Sequence, residues 1–194
     1  MKTIKNMLFM GTLLVALSMM LVGCTEEEAN GGKLSDEYVE SAFSELDKAS
    51  STKLPENVEN GIVSDDMYSE TMRFISEFPK HEDDMMGYQD RLNKDSSLSD
   101  DKAFIEKYKE SMDSYEVFIK GFHLSPSTEV DSEINNNLSE TILYTSYIIS
   151  ALRQYINTGD TYHIGKLEED MNKRNTSYTA LTNTIKEHEL YIKE

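Results

Sequence analysis

Cysteine occurs once in the 194 residues, tryptophan not at all, proline three times and glycine nine times. A single cysteine cannot pair within the chain, which excludes an intramolecular disulfide scaffold. Basic charge is scarce: 19 Lys and Arg stand against 36 Asp and Glu, for a net charge of −17. Affinity for nucleic acid comes mainly from cationic side chains that neutralise phosphates and release counterions, so this balance argues against a DNA or RNA partner. The few glycines are scattered and form neither a phosphate-cradling loop nor a dinucleotide fingerprint. No serine lies in a Gly-x-Ser-x-Gly turn, and no Glu-x-x-His pair exists to build a carboxylate-bridged metal centre in a bundle. Covalent catalysis therefore has no candidate nucleophile, no cofactor is implied, and an enzyme is not expected.

The composition that remains is that of a folded, highly charged domain, with 38% hydrophobic and 28% charged residues. Its length fits one domain.

The N-terminus carries an address. Lys2 and Lys5 give a positive start, Met7 to Val22 hold no charge, and Leu21-Val22-Gly23-Cys24 closes the run with a small residue before the lone cysteine. The apolar run includes Gly11, Thr12 and Ser18 and falls short of the roughly 20 apolar residues that span a bilayer, so it reads as a secretory signal and not as a permanent anchor helix. This segment resembles the signal peptide and lipobox of bacterial lipoproteins. The resemblance covers these residues only and says nothing of the rest of the chain. It implies cleavage between Gly23 and Cys24, a diacylglyceryl thioether on Cys24, and anchoring on the extracytoplasmic side of the cell membrane. Two acyl chains hold a protein stably where one would hold it marginally. On this reading residues 1–23 are a cleaved signal peptide, 24–36 are the lipidated cysteine and a flexible acidic tether, and 37–194 are a helical-bundle domain. Cleavage removes Lys2 and Lys5 but no acid, so the mature chain is more acidic still and is repelled by anionic lipid. The tether, roughly ten residues, reaches at most ~35 Å.

Beyond the tether the apolar period is helical almost throughout. Ser35 is a candidate N-cap for a first helix aligning Val39, Ala42, Phe43 and Leu46. Residues 51–61, with Pro55 and Gly61, read as a loop. A second helix starts near Ser64, aligns Met67 or Tyr68 with Met72, Ile75 and Phe78, and is expected to stop at Pro79, with a short continuation from Lys80 to about Asn93 that turns Met85, Tyr88 and Leu92 inward. Ser99 is the expected N-cap of a third helix whose Phe104, Ile105, Tyr108, Met112, Tyr115, Phe118, Ile119 and Phe122 form one buried face. A loop from His123 to Ser127 precedes a fourth helix running to Asn157, whose start is blurred by the poor helix formers Asn135, Asn136 and Asn137.

Asn157-Thr158-Gly159-Asp160 combines a helix stop with a helix start and predicts an antiparallel hairpin. The fifth helix keeps a seven-residue register: Ile164, Met171, Tyr178, Ile185 and Ile192 at one position, Leu167, Arg174, Leu181 and His188 at the other. That is a seam with two polar interruptions, on a rod of about thirty residues and ~45 Å. The fold class expected is all-α: an elongated antiparallel bundle of four to five helices with a long C-terminal helical hairpin.

Candidate ligand residues are few. His81 and Met85 share a helix face in His81-Glu82-Asp83-Asp84-Met85-Met86, the densest cluster, yet Met85 also suits the core and the acids suit a helix N-terminus. Asp160-x-x-His163 reads as a helix cap and a solvated first turn, and His188 as a bundle-edge histidine. The acid runs Glu26-Glu27-Glu28, Asp65-Asp66 and Glu168-Glu169-Asp170 lack the alternating oxygen spacing of a calcium loop. No metal site is assigned. All eleven tyrosines follow Cys24, and Tyr144, Tyr147, Tyr155 and Tyr162 gather toward the expected hairpin tip. Tyr155 and Tyr162 are the candidate interface residues, the alternative being tyrosines at core edges. Anchor, helical faces and absent chemistry together predict a non-catalytic, membrane-anchored lipoprotein that binds or modulates an envelope or cell-wall protein. The alternative is a helical bundle that binds a small ligand or metal in sensing or delivery.

Overall fold

The structure, a computed structural model, describes residues 54–159, 162 and 164–190. The expected signal segment, Cys24, the expected tether, the helix expected from Ser35, Asp160, His163 and Ile192 lie outside the described residues.

A single helical turn, α1 (Glu56–Glu59), begins after Pro55, whose fixed φ and missing N–H suit a helix start. Gly61 turns the chain at φ 71, and the Asn57 carbonyl accepts from the N–H groups of Ile62 (2.9 Å) and Val63 (3.2 Å). Ser64 then caps α2 (Asp65–Lys94), its side chain accepting from the Met67 N–H. Asp65 and Asp66 in the first turn and Arg91 and Lys94 in the last complement the helix dipole.

Helix α2 corrects the expected break at Pro79: the helix runs through the proline for 30 residues, ~45 Å. An interior proline removes one helix hydrogen bond and costs about 3 kcal/mol. Burial of Met67, Phe74, Ile75 and Phe78 before it and of Met85 and Leu92 after it, all on one face, offsets that cost, since each large apolar side chain contributes about 1.5–3 kcal/mol. The sequence signal at Pro79 is local; the burial that outweighs it is not.

A 3-10 turn (Ser96–Asp100) leads into α3 (Lys102–Lys120). Here too the start moves: Asp101, not Ser99, is the N-cap, its Oδ1 accepting from the N–H groups of Ala103 (2.9 Å) and Phe104 (3.2 Å). A carboxylate at this position satisfies two orphan donors and meets the positive end of the dipole, which a serine hydroxyl does less well. Ser99 instead donates to the Ser96 carbonyl inside the 3-10 turn. The loop through Pro126 ends at Thr128, which caps α4 (Glu129–Thr158) by accepting from the Asp131 N–H at 2.9 Å. Asn135, Asn136 and Asn137 lie well inside this 30-residue helix. Gly159 stops it in the left-handed conformation, φ 67, donating to the Tyr155 carbonyl at 2.8 Å.

After a 3-10 turn (Ile164–Lys166), α5 (Leu167–Glu187) is 21 residues long, shorter than the rod expected from the heptads. It ends in a Schellman arrangement: Glu189 takes φ 49, its N–H reaches the Lys186 carbonyl, and the Leu190 N–H reaches the Ile185 carbonyl. That turn buries Leu190.

The fold is an all-α bundle, and among the described residues there is no strand. Helices α4 and α5 form the most extensively packed pair, as the C-terminal hairpin requires, with α2 and α3 packed against each other and against α4. The seam residues Ile164, Leu167, Arg174, Tyr178, Leu181 and Ile185 are all buried, while Met171 is half-buried. At the centre, the Phe74 ring has Phe78 at 4.8 Å, Phe122 at 5.1 Å, Phe118 at 5.7 Å and Tyr178 at 6.4 Å, so α2, the end of α3 and α5 share one aromatic cluster.

Candidate functional site

The two tyrosines assigned to an interface part company. Tyr162 is 75% exposed beside the turn between α4 and α5, whereas Tyr155 is 8% exposed and belongs to the core. Tyr155 sits on the same α4 face as Ile148 and Leu152, so packing takes it and the expected pairing of the two as a surface is corrected. Burial also raises the pKa of its hydroxyl. Tyr144 and Tyr147 lie in mid-helix, not at the tip. Tyr147 is 48% exposed next to Leu143 at 43%, an outward apolar pair one turn apart. Lys173 of α5 lies over the Tyr144 ring at 5.6 Å.

His81 is held by rings. Its imidazole stacks on Phe118 at 4.6 Å and Tyr115 at 5.7 Å, which ties α2 to α3. Met85, its neighbour on the helix face, is wholly buried. Among the described residues no group of three or more His, Cys, Asp or Glu side chains could hold a metal ion. His188 caps the end of α5, where its carbonyl accepts from Asn57 Nδ2 at 2.6 Å and so fastens α1 to the end of the bundle.

Two buried charges stand out that the linear sequence did not single out as sites. Asp131, 0% exposed, accepts from the Ser64 N–H (3.0 Å), the Ser127 N–H (3.0 Å) and the Ser127 hydroxyl (2.9 Å). Burial pushes its carboxyl up, but the donors from Ser64 and Ser127 pull it down further, to about 2. One carboxylate thus joins the start of α4 to the start of α2. The Thr-x-x-Asp spacing of Thr128 and Asp131 carries the signal of a helix N-terminus, although its reach to Ser64 is a matter of tertiary structure. Arg174, 4% exposed, pairs with Glu82 of α2 at 2.6 Å and donates to Asn175 Oδ1 from Nε (3.1 Å) and Nη2 (2.7 Å). The first polar interruption in the heptad seam is therefore the arginine that reaches across to α2.

The hydroxyl of Tyr115, fully buried between these helices, has its pKa held well above the ordinary value by burial first and by the Glu82 charge second. On the α3 side, Arg153 of α4 clamps Glu116 (2.6 Å) and Asp113 (2.7 Å).

One open groove, about 540 Å³, lies between the first turns of α2 and the loop after α3, lined by Asp66, Ser69, Glu70 and Arg73 on one side and by His123 and Leu124 on the other. Arg73 is paired with Glu70 and lies over the Phe122 ring at 4.2 Å. The groove offers both polar and apolar contacts. No described helix is long and apolar enough to cross a membrane. No protein-family model matches the chain, and comparison with curated proteins and with solved structures finds no match.

Proposed function

We propose that the protein is a lipid-anchored extracytoplasmic lipoprotein whose helical bundle binds or modulates another envelope or cell-wall protein, without catalysis of its own. The observation that carries this reading is the sequence Lys2, Lys5, an uncharged run, and Leu21-Val22-Gly23-Cys24, with the only cysteine of the chain at the position that lipidation requires. The surface supports an interaction role: Tyr162, Tyr147, Leu143 and Val117 are exposed large apolar side chains, and Tyr is favoured at interfaces because one ring supplies area and a polar tip. Anchoring through Cys24 leaves signalling across the membrane to a partner, since the signal segment is removed.

The test is cross-linking in intact cells, followed by mass spectrometry of the neighbours and of the N-terminal peptide. A diacylated Cys24 with one recurrent neighbour is the expected result; an unmodified N-terminus, or a chain found only alone in native membranes, overturns the reading. The groove beside His123 favours a second reading, a ligand-binding bundle. Binding to the native state must raise its stability, so a melting-temperature rise with a metabolite or metal, lost in His123→Ala, is its signature.

A further inference from the structure

Residues 122–125, in the loop between α3 and α4, alternate in the manner of a strand: Phe122 is buried, Leu124 is half-buried against the core, and His123 and Ser125 are exposed. Pro126 favours an extended backbone at the residue before it, Ser125. Both ends of this segment are fixed. The Phe122 ring lies edge-on to Phe74 at 5.1 Å, and beyond Pro126 the Ser127 N–H and hydroxyl donate to the buried Asp131 carboxylate. Between those anchors, the backbone N–H and C=O groups of residues 122–125 make no hydrogen bond with any described residue. A short row of unpaired main-chain groups on a held segment is a template for an added strand. His123, Leu124 and Ser125 form one wall of the open groove of about 540 Å³, and the first turns of α2, with Asp66 and Glu70, form the other. Asp66 has no hydrogen-bond or ion-pair partner for its carboxylate among the described residues, whereas Glu70 pairs with Arg73.

We propose that this groove binds an extended peptide segment of a partner protein, with basic side chains at alternate positions. The inference rests on the protein-binding reading above and names its surface and its partner class; lipid anchoring does not enter it. Main-chain pairing along residues 122–125 supplies ~13 Å of edge, at ~3.3 Å per residue. Side chains of an extended peptide point the same way at every second residue, ~6.6 Å apart. Asp66 and Glu70 stand one turn apart on α2, ~6 Å along its axis, so two alternate cations of such a peptide meet both carboxylates. Charge at long range acts in the same sense, because a chain of net charge −17 draws basic segments and repels acidic ones. Phe122 and Ser127 hold the edge in place before binding, so little ordering of the loop is required on association.

The experiment is fluorescence polarisation of a labelled peptide, Val-Lys-Val-Lys-Val, titrated with the full-length protein in non-ionic detergent micelles. Saturable binding below ~1 mM is expected, in keeping with a small interface. Val-Glu-Val-Glu-Val, and a fully N-methylated Val-Lys-Val-Lys-Val that keeps its side chains but loses its N–H donors, should each bind about ten-fold more weakly or not at all. Asp66→Asn combined with Glu70→Gln should weaken the lysine peptide about five- to ten-fold. Asp83→Asn combined with Asp84→Asn removes the same charge from an exposed part of α2 away from the groove and should change binding by less than about two-fold. Circular dichroism checks that each variant keeps its helices. Equal weakening by the two pairs of substitutions means attraction to the overall charge, equal binding of the methylated peptide means that no main chain is paired, and either result, like absence of binding at ~1 mM, overturns the proposal. In cells, a cross-linked neighbour that survives the Asp66→Asn and Glu70→Gln substitutions also overturns it while leaving the protein-binding reading intact; a chain found only alone overturns both.

Discussion

Arg174 of α5 and Glu82 of α2 form a 2.6 Å ion pair between helices that are far apart in sequence, with the guanidinium 4% exposed. The heptad seam of α5 places Arg174 where an apolar residue would suit a two-helix contact, and the third helix explains the exception. A buried pair gives little net stability, yet removing one partner strands the other. Glu82→Gln leaves the guanidinium without its countercharge and is expected to cost about 3 kcal/mol, as seen in the midpoint of urea unfolding. Arg174→Met leaves a carboxylate that retains access to water and should cost less, about 1 kcal/mol. Equal losses for the two variants would contradict this asymmetry.

Asp131 predicts an acid limb of stability. Its carboxyl is held at about 2 in the fold against roughly 3.9 in an unfolded chain, so the unfolded state binds the proton first. Its contribution is complete above about pH 4 and disappears as pH falls toward about 2, a loss of about 2–3 kcal/mol. Asp131→Asn should lose a similar amount at neutral pH and flatten the curve of stability against pH across that window. A variant whose acid limb has the parent's slope would show that another carboxylate carries it.

The two candidate interface tyrosines have opposite fates here. Tyr155→Ser empties a core position and should lower stability by about 3 kcal/mol, whereas Tyr162→Ser should stay within about 0.5 kcal/mol, read from thermal unfolding. If the turn between α4 and α5 contacts a partner, capture in cells should fall for Tyr162→Ser while helical content stays unchanged.

Pro79 stands inside α2, half-buried and without an N–H to offer. Pro79→Ala restores one helix hydrogen bond and removes the ring clash, so it should stabilise the bundle by about 1–3 kcal/mol, with a higher melting temperature. A loss of stability would mean that packing of the ring outweighs the backbone gain.

Local chemistry was legible in the sequence. The helical period, the Ser64 cap, the Gly159 stop and the positions of Arg174 and His188 in the seam follow from neighbours three or four residues away, because the forces that set them act within a turn or two. The address proposed at Leu21-Val22-Gly23-Cys24 is a reading of the same kind, resting on a pattern of residue order alone. Only the tertiary structure decided the rest. It carried α2 through Pro79, where burial on both sides outweighs a local cost; it sorted Tyr155 into the core and left Tyr162 outside; and it gave Asp131 and Arg174 their partners. Those partners lie 67 and 92 residues away. A contact of that range is fixed by how the helices stack, and no periodicity within a single helix encodes which neighbour it will meet.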